Sequence, residues 1–142
     1  MASTNRTVTS ELAQPRAGSG GGGAAALFWL TSVQAALVFA QAALAGQFLN
    51  GNQGALNLHA ANAEVIPLVT IAQLVVAIRV WRRRKVAWPT AAAALLLVAV
   101  VFQVGLGYGR QLAVHVPLGV AIFGTTLWLL IGTRRLWTAR HA

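Results

Sequence analysis

Four long apolar runs, with the charged residues gathered between them, decide what this chain can become. They cover residues 24–49, 58–78, 86–108 and 112–131. Each is about 20 residues or longer, enough for a helix to cross a hydrocarbon layer of about 30 Å. Inside lipid every backbone N–H and C=O must bond within the protein, so an open chain crosses as helices. Ala and Leu dominate the runs, which suits helices. The expected fold class is an all-α integral membrane protein, an up-down-up-down bundle of four transmembrane helices. Short polar connections, Asn50-Gly51-Asn52-Gln53-Gly54 and Gly109-Arg110-Gln111, make consecutive helices antiparallel neighbours. Residues 1–23 and 136–142 are expected to be tails, the first polar and glycine-rich and predicted to be disordered. Ala40-Gln41-Ala42 resembles a signal-peptide cleavage site, but no compact basic region precedes the run.

Composition closes several other routes. Charged residues make up 9% of the chain, against about 25% in soluble domains. The net charge of +9 would suit a nucleic-acid binder. However, the basic residues stand at the ends of apolar runs, where membrane topology places them. Cysteine is absent, which excludes disulfides, iron–sulfur clusters, thiolate-ligated haem and covalent c-type haem.

The same basic residues orient the bundle. Arg6, Arg16, Arg79, Arg82, Arg83, Arg84, Lys85, Arg134, Arg135 and Arg140 fall on one side, and only Arg110 on the other. Cytoplasmic loops carry the excess of Lys and Arg, so both termini are expected in the cytoplasm of a multi-pass cell-membrane protein. Trp29, Trp81, Trp88 and Trp137 lie near that face, Trp128 a little deeper, and Tyr108 marks the outer end. Aromatic rings favour the interface, so these are anchors.

Two histidines carry the chemistry. His59 precedes Arg79 by 20 residues and His115 precedes Arg134 by 19. At about 1.5 Å per residue both lie at one depth near the outer face, within roughly 2 Å. They occupy the second and fourth helices, diagonal in a simple bundle. Facing imidazoles at equal depth are what a bis-histidine haem b needs, since the iron takes one nitrogen on each face of the ring. Ala63 and Gly119 each follow a histidine by four residues, on the same helical face, and would admit the macrocycle. Arg110 could pair with the haem propionates. The competing reading makes both histidines interfacial structure. Zinc would want a third ligand at that depth, and none is evident.

Glu64 is the only acid within an apolar run, and such a group is a functional candidate by default. It is a candidate proton relay or quinone partner, or else a carboxyl bonded to Asn57, Asn62 or water. Gln34, Gln41, Gln73 and Gln103 are expected to join helices through hydrogen bonds. Ala42 with Gly46, and Gly105 with Gly109, are small-residue pairs that suit close packing. Pro67 and Pro117 are expected to kink helices two and four. His141, in the C-terminal tail, is too far away to join the pair. One chain therefore holds at most one such haem and cannot carry electrons across the membrane alone.

The stretches Leu58-His59-Ala60-Ala61-Asn62-Ala63, Phe102-Gln103-Val104-Gly105-Leu106-Gly107 and Leu112-Ala113-Val114-His115-Val116-Pro117-Leu118-Gly119 resemble one half of the haem A synthase family. That family has two four-helix modules, each with histidines at the outer ends of its second and fourth helices. Small single-module membrane proteins share the layout. The resemblance spans roughly residues 25–135 and implies a haem b site with His59 and His115 as ligands. Family members carry a glutamate four residues before the first histidine, where this chain has Ala55. They often carry an outer cysteine pair, and the chain is half their length. Haem A synthesis is therefore not expected. The leading expectation is electron transfer or haem handling, with the bilayer, a membrane redox partner or a second copy of the chain as partners. The alternative is a non-redox accessory, assembly or transporter-like protein without haem.

Overall fold

The computed structural model describes residues 21–139. The long N-terminal tail and His141 lie outside them, as do Arg6, Arg16 and Arg140. Four helices follow one another: α1 (Gly21–Leu49), α2 (Gln53–Arg84), α3 (Trp88–Tyr108) and α4 (Leu112–Thr138). All four are long and apolar enough to cross a membrane. Helix α2 runs past its apolar run to Arg84, α3 starts at Trp88, and α4 continues to Thr138, so residues 136–138 are helix where a tail was expected; two further starts move as well. The first is α1, which begins within the glycine stretch, at Gly21. The second is α2, which begins at Gln53, ahead of the run at Leu58, because Asn52 caps it by accepting from the Ala55 N–H. That cap lets a polar first turn be helical. The helix stops at Lys85, in the left-handed region at φ 60°, whose N–H bonds the Trp81 carbonyl. Helix α3 starts with Pro89 in its first turn, where the missing N–H costs nothing. Both α2 and α4 continue as helix through Pro67 and Pro117.

Helix α1 packs on α2 and α4, and α3 packs on the same two; the pairs α1/α3 and α2/α4 are diagonal. Cross-helix pairings run in opposite senses, as antiparallel neighbours require. Gln34 meets Thr70 while Gln41 meets His59. On the α1–α4 side Phe39 meets Phe123 while Phe28 stacks on Trp137.

The interior is built in layers one helical turn apart. Val38, Ile66, Val100 and Ile122 come one from each helix. The next turn inward brings Gln34, Thr70, Leu96 and Thr126, all fully or almost fully buried. Further in lie Thr31, Gln73, Ala93 and Leu129, then Leu27, Ala77 and Thr133. The threonines do not break the core. Thr31, Thr70 and Thr126 each donate to the carbonyl four residues earlier. Gln34 joins α1 to α2 by donating to Thr70 Oγ1 at 3.0 Å. The Gln73 amide, expected to join helices, is buried with no hydrogen-bond partner for its side-chain atoms. Toward the turns the packing changes. Beyond the Val38 layer only Ala55 is buried among the described residues.

The outside is apolar too. Leu58, Leu68, Leu95, Phe102 and Val120 are each more than 60% exposed. Continuous apolar surface of this kind suits lipid, not water. At the end where α1 begins and α4 finishes, Trp29, Phe28 and Trp137 cluster, and Trp88 meets Trp128 edge to face at 5.2 Å.

Candidate functional site

The two histidines meet at the end of the bundle opposite the start of α1. His59 stands in the second turn of α2 and His115 in the first turn of α4. The backbones of these diagonal helices do not approach closely, yet the two rings come within 6.3 Å, centre to centre, with a 55° angle between their planes. The space between the diagonal helices is spanned by imidazole from both sides.

Each ring is held from behind by the other pair of helices. His59 Nδ1 lies 3.1 Å from the backbone carbonyl of Gln41 on α1. His115 Nδ1 lies 3.0 Å from the backbone carbonyl of Gln103 on α3. A carbonyl only accepts, so each Nδ1 carries the proton and donates it. In the neutral ring this leaves Nε2 with a lone pair. Metal-binding histidines are commonly oriented in this way, the far nitrogen hydrogen-bonded and the near one free to ligate.

Gln103 fixes His115 twice, because its side-chain Nε2 also donates to the His115 backbone carbonyl at 2.9 Å. Two glycines make this possible. A Cβ on Gly107 would lie 3.0 Å from His115 Cε1, and one on Gly119 would lie 3.0 Å from Gln103 Nε2. Gly119 therefore admits the glutamine that braces His115. Gly107, which depth counting passes over, admits the imidazole itself. On α2, Ala63 is half-buried one turn from His59. Its carbonyl lacks the usual helical partner, since Pro67 has no N–H. Behind His59, Asn62 donates to the Leu37 carbonyl and to Gln41 Oε1, both at 2.9 Å, and secures the α1–α2 contact.

Arg110 sits in the turn between α3 and α4 at φ 54°, with its N–H bonded to the Gly107 carbonyl. That left-handed conformation costs about 1–2 kcal/mol for a residue other than glycine. The side chain is exposed and forms no hydrogen bond among the described residues. Glu64 stands apart, on the exposed α2–α3 edge. It accepts a 2.8 Å hydrogen bond from the Tyr108 hydroxyl, not from Asn57 or Asn62. Three or more metal-ligating side chains gather nowhere among the described residues.

The 6.3 Å between ring centres matches the spacing of two imidazoles on one metal. An imidazole nitrogen lies about 2 Å from a metal it ligates and about 1 Å from its own ring centre, so two on one metal put the ring centres about 6 Å apart. Searches of family models, curated proteins and solved structures find no match to this chain.

Proposed function

We propose that this chain is a multi-pass membrane protein that holds one haem b between His59 and His115 at its outer end and serves electron transfer or haem handling. The observation that carries the reading is the facing of two imidazoles 6.3 Å apart, each with Nδ1 engaged by a backbone carbonyl. When bound, haem supplies a one-electron carrier whose potential its axial ligands and surroundings tune. The chain's own residues do the rest. His59 and His115 would ligate through Nε2, while the Gln41 and Gln103 carbonyls hold the rings and raise their basicity. Gly107, Gly119 and Ala63 keep bulk away from the imidazoles and their braces. This layout is the one that resembles a single haem A synthase module, and Ala55 at the position of that family's glutamate argues against synthase chemistry here.

Arg110, the lone basic residue of the outer side, would pair with the propionates. Arg110→Ala is expected to weaken haem retention or shift its midpoint, since a charged hydrogen bond contributes about 1.5–3 kcal/mol. Unchanged haem content and midpoint would remove Arg110 from the site.

The orientation rests on ten basic residues against one. Reporters fused after residue 51 and after residue 86 should report opposite sides, the second cytoplasmic. The same side from both would contradict four crossings.

A further inference from the structure

At the end of the bundle where α1 begins and α2 finishes, these two helices leave a groove of about 330 Å³. Small residues form its α1 wall: Gly22, Gly23 and Ala26. The α2 wall carries Arg79 and Arg83, with Val76 and Val80 beside them. The helices approach closely at its floor, where a Cβ on Gly23 would lie 3.3 Å from Val80. Arg79 and Arg83 are four residues apart, so their side chains share one face and repel. Arg84, on the same rim, donates to the Leu136 carbonyl of α4. Among the described residues the only carboxylate side chain is Glu64, which is bonded to Tyr108 at the far end of the bundle. Arg79 and Arg83 thus stand on one wall of the groove with no carboxylate of the described residues beside them. Arg79 also lies one turn deeper than the Arg82-Arg83-Arg84 run, between Ile78 and Val80. A partner that fits this groove offers an anion at interface depth and apolar atoms below it.

We propose that this groove binds an anionic phospholipid of the leaflet at that end of the bundle. Its phosphate lies between Arg79 and Arg83, and an acyl chain runs along Val76 and Ala26. Guanidinium forks suit phosphate oxygens, and basic pockets between membrane helices suit anionic head groups. The inference uses the membrane placement but not the haem, so a colourless protein would leave it standing.

The test is mass spectrometry of the intact full-length protein, delipidated in mild detergent and titrated with phosphatidylglycerol or phosphatidylcholine. Phosphatidylglycerol should be retained in clear preference. The double variant Arg79→Gln/Arg83→Gln should lower that preference about tenfold or more, at roughly one interfacial charge contribution per arginine. The charge-matched control Arg82→Gln/Arg135→Gln, which alters no groove residue, should keep it. Inorganic phosphate at millimolar concentration should not displace the lipid. Equal losses in the two double variants would mean unspecific attraction, and displacement by phosphate would mean a soluble-anion site; either overturns the proposal. Should the double variant fail to insert, Arg83→Gln against Arg82→Gln makes the same comparison.

Discussion

Replacing either His59 or His115 by alanine is expected to abolish the low-spin haem spectrum while leaving a folded four-helix protein in the membrane. The two effects separate for a physical reason. Insertion depends on apolar length and flanking charge, and neither changes. Both rings lie outside the buried layers, which end at Val38, Ile66, Val100 and Ile122. Haem retention, in contrast, depends on both nitrogens. Loss of a supporting hydrogen bond typically weakens metal binding about 10–100-fold, and loss of the ligand should reach at least the upper end of that range. The measurement is haem per folded protein with the reduced visible spectrum, beside helix content by circular dichroism. Equal, wild-type-like spectra from both alanine variants would place the haem elsewhere.

The second large effect is at the other end of the bundle and concerns packing alone. Gly132 on α4 lies under the Trp88 ring, and a Cβ there would collide with Trp88 Cη2. Trp88 has little freedom to yield, because it packs against the main apolar cluster and meets Trp128 edge to face. Gly132→Val is therefore expected to cost about 1–3 kcal/mol by overpacking. Gly124, two turns earlier on the same helix, has open space where its Cβ would go. Gly124→Ala should be neutral or should stabilise by up to about 1 kcal/mol through helix propensity. Thermal unfolding in detergent compares the two. A Gly132→Val protein as stable as Gly124→Ala would contradict the α3–α4 packing. Neither change should alter the haem spectrum of protein that remains folded.

The four helices were legible because the lipid requirement writes itself into length and composition. The histidine pair was legible because a helix converts residue number into depth, so counting from the basic ends puts His59 and His115 level. Counting along a helix says nothing of rotation about its axis or of which neighbour sits beside it. That is why the Gln41 and Gln103 carbonyls escaped notice: both are backbone acceptors that any residue could supply. Gly107 carried a faint signal, as a glycine one residue before the end of α3. Its purpose depends on which ring α4 turns toward it. Gly119 was legible as a place for something bulky, but the bulk it meets is Gln103. Glu64 stood in the sequence as either a proton relay or quinone partner or a carboxyl bonded to Asn57, Asn62 or water; its partner is Tyr108 on another helix, 44 residues away in the chain. The Gln53 turn was missed because its polarity hides it from hydropathy, although Asn52 is a good capping residue.

The visible spectrum of the purified wild-type protein tests the central claim most directly. The protein is expressed with ample haem, solubilised in mild detergent and reduced. Two imidazoles on one iron should give a sharp alpha band and about one haem per chain. A protein that purifies colourless, and remains so when haem is added, would contradict the account. His59 and His115 would then be interfacial structure, and the non-redox reading would take its place.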